Sequence, residues 1–108
     1  MTVRCGVDII YIPSIQKIIG DESMLNKFFD ANEIGIASSE HLAGIIAAKE
    51  AFFKALGKVP KFREVQIRHD PAGKPTLVVP PTLHTFSSCD VSISHDGDYA
   101  VAFVVLQS

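Results

Sequence analysis

At 108 residues the chain is long enough for one domain, 1–108, with a usable but modest core, so association with further copies is a natural source of stability. Apolar residues make up 47% and charged residues 20%, the balance of a globular protein and not of a disordered one. A formal charge of −2 gives no electrostatic case for nucleic acid or an anionic membrane, and no apolar run is long enough to span a bilayer.

Thr2 to Ile10 alternates as a strand, with Val3, Cys5, Val7 and Ile9 on one face and Arg4, Gly6, Asp8 and Ile10 on the other. Asp8 is anomalous, because aspartate is disfavoured in strands. Gly6 on its face leaves room for something to approach. Pro13 opens a short helix to about Ile19, and Gly20-Asp21 breaks it. A second helix is predicted from Glu22 to Phe29. Asp30 and Glu33 are spaced to cap another helical turn reciprocally.

The dominant element is a helix predicted over His41–Gly57, with Ser38 or Ser39 as its N-cap and Gly57 as its stop. Leu42, Ile45, Ile46, Phe52, Phe53 and Leu56 form a bulky apolar stripe. Gly44, Ala48, Ala51 and Ala55 line the far side, where another backbone can come close. Apolar on two sides, the helix is buried over most of its circumference. Three charges stand out against it. Glu50 and Lys54 lie one turn apart on one face, as a surface ion pair or as a functional pair on a rigid scaffold. Lys49 falls within the bulky stripe, where it either snorkels to the core's edge or points at an anionic ligand.

After Gly57 the chain turns to strands. Glu64–His69 alternates with Val65 and Ile67 inward, Asp70-Pro71-Ala72-Gly73 is a turn, and Thr76–Val79 returns until Pro80-Pro81. Asp90–His95 places Val91, Ile93 and His95 on one face and Ser92 and Ser94 on the other. Asp96-Gly97 signals a hairpin into Tyr99–Leu106, which is apolar on both faces and therefore central in its sheet. Two cysteines, Cys5 and Cys89, are too few for a disulfide framework and fit a reducing cytoplasm; both lie in apolar runs that predict inert, buried thiols. No signal-peptide pattern is visible. Helices first and hairpin-linked strands later make an α+β fold, an antiparallel sheet packed against one long central helix.

Several chemistries are set aside. The sequence has no glycine-rich phosphate or dinucleotide loop, no nucleophile elbow and no zinc-like spacing among His41, His69, His84 and His95. Asp8 and Glu50 remain, two carboxylates on different elements. Few oxygen ligands on a rigid frame suit Mg²⁺, which keeps waters and takes further ligands from phosphates. Lys54 beside them suits a general base or a phosphate partner.

Four stretches carry a resemblance to a known family: Gly6-Val7-Asp8-Ile9-Ile10, Leu42-Ala43-Gly44 leading into Ala47-Ala48-Lys49-Glu50-Ala51-Phe52-Phe53-Lys54-Ala55-Leu56-Gly57, Gly73-Lys74-Pro75, and Val91-Ser92-Ile93-Ser94-His95 followed by Tyr99-Ala100-Val101-Ala102. In this order, over nearly the whole chain, they resemble the 4′-phosphopantetheinyl transferases of the short holo-(acyl carrier protein) synthase type. The resemblance implies transfer of the phosphopantetheine arm of coenzyme A to a serine of an apo acyl carrier protein, releasing 3′,5′-ADP. It implies Asp8 and Glu50 as Mg²⁺ ligands, Lys54 as the residue that assists attack or balances phosphoryl charge, and Lys49, Ser94 and His95 as coenzyme-binding residues. It also implies a homotrimer, with Ser94 and His95 supplied by the subunit next to the one bearing Asp8, Glu50 and Lys54.

The chain departs from the family pattern where an arginine of the first helix is replaced by Ser14, where another before the Ala-Ala-Lys-Glu block is replaced by Ile45, and where a glycine-rich loop shrinks to Gly57-Lys58-Val59-Pro60. Lys17, one turn from Ser14, is a partial substitute. These departures bear on carrier docking and coenzyme grip. Two alternatives follow: a degenerate relative that binds a carrier without catalysis, and an acyl-thioester enzyme of the hot-dog kind, which also wraps a sheet around one long helix.

Overall fold

A computed structural model describes residues 1–35 and 38–108. The chain begins with strand β1 (Val3–Tyr11) and continues through a 3-10 turn into three short helices, α1 (Ile15–Ile19), α2 (Glu22–Phe28) and α3 (Ala31–Ile34). Helix α4 (Ser39–Leu56) follows, then β2 (Gln66–His69), β3 (Pro75–Val78), β4 (Ser88–Asp96) and β5 (Tyr99–Gln107). The strands form two antiparallel sheets: one ordered β1-β5-β4, and a separate β2-β3 hairpin. β5 is central, as its apolar faces predict.

Local chemistry explains the elements. Asp21 accepts from the Ser23 and Met24 amides to start α2. Asp30 and Glu33 form the expected capping box on α3. The Ser38 hydroxyl accepts from the His41 amide, 3.1 Å away, so α4 starts two residues before its predicted first turn. Gly57 ends α4 in the left-handed region, φ 75°, and its N–H reaches back to Phe53 O. The Arg4 guanidinium covers the Leu56 carbonyl at the same end. Phe52 and Phe53 are fully buried, each worth roughly 2–3 kcal/mol of transfer from water.

One glycine sets how sheet and helix meet. A Cβ at Gly6 would run into the carbonyl oxygen of Ala51 and lie 2.8 Å from Ala55 N. The small face of α4 therefore rests directly on β1 backbone. What approaches Gly6 is the helix itself, with Glu50 and Lys54 carried at its flank.

The other face of the three-stranded sheet is open. Val3, Val7, Ile9 and Tyr11 of β1 and Tyr99 and Phe103 of β5 are 44–60% exposed there. The register continues the rows onto β4: Val7 and Ser92 both pair with Phe103, and Ile9 and Ser94 both pair with Val101. Cys5 lies on this face and is exposed, a correction to the buried thiol predicted for it, because the outer rows have no second layer within the protomer. Cys89 is half-buried, and burial, with Asp90 nearby, pushes its thiol up to about 11.

Candidate active site

Asp8 and Glu50 meet at the β1 edge of the sheet. Asp8 is 9% exposed on the helix-facing side of β1. Lys54 donates from Nζ to Asp8 Oδ1 at 3.1 Å and to the Val7 carbonyl at 3.0 Å. The second carboxylate oxygen of Asp8, Oδ2, is buried and has no hydrogen-bond partner among the described residues. An orphaned carboxylate oxygen carries a desolvation cost and calls for a cation or a proton.

Glu50 supplies the neighbouring carboxyl. Burial first, then the hydrogen bond and charge of Asp8, push its pKa from 4.5 up to about 7, while Lys54 pulls it down. Two carboxylates held this close resist sharing two negative charges. A hard divalent cation would relieve that conflict. Among the described residues no cluster of three or more His, Cys, Asp or Glu is placed to hold a metal. A cation here would take two protein carboxylates and complete its shell with water and phosphate oxygens, which fits Mg²⁺.

Lys49 does not join this group. Its side chain is fully buried, 2.6 Å from Glu33 Oε1, and it donates to the Phe28 carbonyl at 2.9 Å. Glu33 Oε1 also accepts from the Asp30 amide and Oε2 from the Ile67 amide, both at 2.8 Å. Burial presses the Lys49 ammonium down and the Glu33 hydrogen bond opposes it. In place of the predicted coenzyme contact the structure shows a structural one: Lys49 ties α4 to α2 and α3 and, through Glu33, to β2, and its full burial keeps it from an anion outside the core.

Ser94 and His95 lie on β4, with β5 between them and Asp8. They face opposite ways. Ser94 is on the open face, in register with Val101, whereas His95 pairs with Ala100 on the helix side. His95 Nδ1 is 2.9 Å from Glu40 Oε1. Helix α4 crosses between the two edges, its Gly44 against Ile93 and its Ala51 against Gly6. Within one protomer the carboxylate pair and His95 therefore occupy opposite flanks of the helix. Ser14 is spent locally, its hydroxyl donating to the Tyr11 carbonyl at 2.6 Å.

Beside His95 the structure opens a cleft of about 300 Å³ lined by Glu40, His41, Gly44, Ile45, His69 and Gly73, among others. The sequence does not mark His41 and His69 as site residues, because no zinc-like spacing links them and neither lies in a stretch that carries the family resemblance. The available signal was that His41 precedes Ile45 by one helical turn and shares its face.

The family profile of the 4′-phosphopantetheinyl transferase superfamily matches residues 4–104. The holo-[acyl-carrier-protein] synthase of Nautilia profundicola is 41% identical over 110 residues, covering 94% of this chain and 96% of its own. The crystal structure of Helicobacter pylori holo-[acyl-carrier-protein] synthase in complex with coenzyme A superposes with a TM-score of 0.89 at 30% identity, covering 95% of this chain and 99% of that one. The Bacillus anthracis synthase in complex with coenzyme A (3′,5′-ADP) does so at 0.82 and 33% identity, over 97% and 96%. With its profile matched from Arg4 to Val104 and these relatives aligned along almost their full length, the chain belongs to the 4′-phosphopantetheinyl transferase superfamily.

Proposed function

We propose that this protein is a cytoplasmic holo-(acyl carrier protein) synthase, moving 4′-phosphopantetheine from coenzyme A to a serine hydroxyl of an apo carrier with Mg²⁺ and releasing 3′,5′-ADP. The observation that carries the reading is the Asp8–Glu50–Lys54 group, whose buried, unpartnered Oδ2 stands beside a second carboxylate and an ammonium. The names of the aligned synthases, two of them solved with the coenzyme, support the same substrate class.

In this reaction the serine oxygen bonds to the phosphorus bearing the pantetheine arm, the pyrophosphate P–O bond breaks, and the serine proton is lost. Mg²⁺ held by Asp8 and Glu50 would neutralise pyrophosphate charge and favour the leaving 3′,5′-ADP. The Lys54 side chain is 57% exposed, so its ammonium can swing from Asp8 to a phosphoryl oxygen and balance charge as the serine attacks. Glu50 stands beside both Asp8 and Lys54, and burial raises its affinity for a proton.

Assembly follows from two observations. The exposed outer rows of β1 and β5 form an apolar face suited to other copies of the chain. The two halves of the family's site pattern lie on opposite flanks of α4, so one protomer cannot close them on one coenzyme. We infer a homotrimer in which His95 of one subunit faces the carboxylate pair of the next. There it contacts the coenzyme's 3′-phosphate, and Ser94 lies on the packed face at the boundary. Incubation with coenzyme A, Mg²⁺ and a panel of apo carriers, followed by weighing the carriers, tests the activity. A mass gain of one phosphopantetheine on any carrier is expected; none on any carrier would leave a non-catalytic binding relative.

A further inference from the structure

The cleft beside His95 collects three histidines from three elements: His41 from α4, His69 from β2 and His95 from β4. The His41 and His69 rings stand 4.9 Å apart between centroids, tilted by 34°. Among the described residues no lysine or arginine lines the cleft. Imidazolium is thus its own source of positive charge. Apart from Glu40 and Ser38, its remaining lining is small or apolar, as at Gly44, Gly73 and Ile93.

We propose that His41 and His69, together with His95, form a proton-gated grip for a phosphate monoester, so that the coenzyme's 3′-phosphate is held by imidazolium where a guanidinium would otherwise serve. The identity of that phosphate rests on the transferase reading. The charge chemistry of the cleft does not.

Two rings this close repel when both are charged, and a dianion between or beside them removes that repulsion. Burial and His69 hold the His41 imidazole below its ordinary 6.5, while Glu33 opposes them. The His41 ring therefore stays neutral near pH 7 in the free cleft, and phosphate binding there takes up a proton. Other charges face the same groups. Glu40 Oε1 lies 2.9 Å from His95 Nδ1. Arg68 of β2 shares with His41 and His69 the neighbouring cleft of about 380 Å³, which Glu33 also lines. Glu40 limits how many anions the cleft tolerates, and the three rings must outweigh it.

The test compares binding of 3′,5′-ADP with that of 5′-AMP by calorimetry, without Mg²⁺ or carrier, at pH 8 and pH 6.5. A phosphate monoester loses its second proton near pH ~6, so it remains largely dianionic at both. We expect the preference for 3′,5′-ADP to grow about tenfold at the lower pH, as charge-assisted contacts form, with measurable proton uptake. The His41→Gln and His69→Gln variants, both at exposed positions, should each keep the parent's circular dichroism and lose most of that growth. A preference equal at both pH values, one unchanged in both variants, or no 3′,5′-ADP binding at all overturns the proposal. Transfer activity with a flat preference sinks the grip alone; the expected preference without transfer to any carrier sinks the transferase reading alone.

Discussion

Lys54 Nζ bridges two elements, 3.1 Å from Asp8 Oδ1 and 3.0 Å from the Val7 carbonyl oxygen, so the ammonium that belongs to α4 is docked on β1. This bridge needs the helix to lie flush on the strand, and only Gly6 allows that. The site is thus a product of helix–sheet packing. Its parts can be separated by substitution.

Asp8→Asn keeps an oxygen for Lys54 and removes the charge that a cation needs. Oδ2 has no partner to lose, so the fold should be unaffected. Transfer should fall about a hundredfold or more, in line with the loss of a preorganised electrostatic contact. Lys54→Ala should fall comparably while binding Mg²⁺ no worse. Rates from carrier mass shifts, beside urea melts, check both. An Asp8→Asn protein that transfers at the parent rate would end the metal assignment.

Gly6→Ala should cost about 3 kcal/mol, at the upper end for overpacking, because the new Cβ meets backbone atoms of Ala51 and Ala55 that cannot rotate away. The helix must lift, parting Lys54 from Asp8. Denaturant midpoints and transfer rates should fall together. A stable Gly6→Ala protein with full activity would show that the close approach is not required.

Asp8 was legible in the sequence because an aspartate in an apolar strand needs a reason, and Glu50 and Lys54 because their spacing stacks them on one helix face. Lys49 was not. Its partner Glu33 is 16 residues away, beyond a turn, and the capping-box pattern had already given Glu33 a role at Asp30. The carboxylate does both, one oxygen serving the cap and Lys49, the other the Ile67 amide. The histidine cleft was invisible for a similar reason: only tertiary folding of the β2-β3 hairpin against the start of α4 brings His69 to His41. The open apolar face was legible as two-sided hydrophobicity in β5. That pattern marks a strand buried on both sides, and here the second side is exposed within the protomer.

Lys49→Met should destabilise the protein by about 3 kcal/mol, because Glu33 is left as a buried, unpaired carboxylate. At temperatures where the variant is folded, its affinity for 3′,5′-ADP should equal the parent's. This separates the structural role from coenzyme binding. A stable variant with weakened affinity would restore the ligand role.

His41 makes stability depend on pH. Its folded pKa lies below its ordinary 6.5, so folding favours the neutral ring. That stability is present above pH 6.5 and is lost as pH falls through the folded value, where the unfolded chain binds the extra proton first. Melting temperatures in phosphate-free buffer should decline over this window in the parent and decline less in His41→Gln. Parallel curves would remove His41 as a source of the pH dependence.

Subunit complementation tests the shared site. Asp8 and His95 lie on opposite edge strands, with β5 and the body of α4 between them, so a coenzyme that needs both must bridge two chains. Asp8→Ala and His95→Ala proteins should each be impaired alone. Unfolded and refolded as a mixture, they should form some boundaries with both native residues and others with both lesions. In a trimer assembled at random from equal amounts, about a quarter of boundaries would carry both native residues, so activity should recover to roughly that fraction of the parent's. Native mass spectrometry of an isotopically labelled partner would establish that the subunits have mixed. Mixed trimers no more active than either variant alone would mean that Asp8 and His95 do not serve one coenzyme, and His95 would then be only the partner of Glu40 at the mouth of its own cleft.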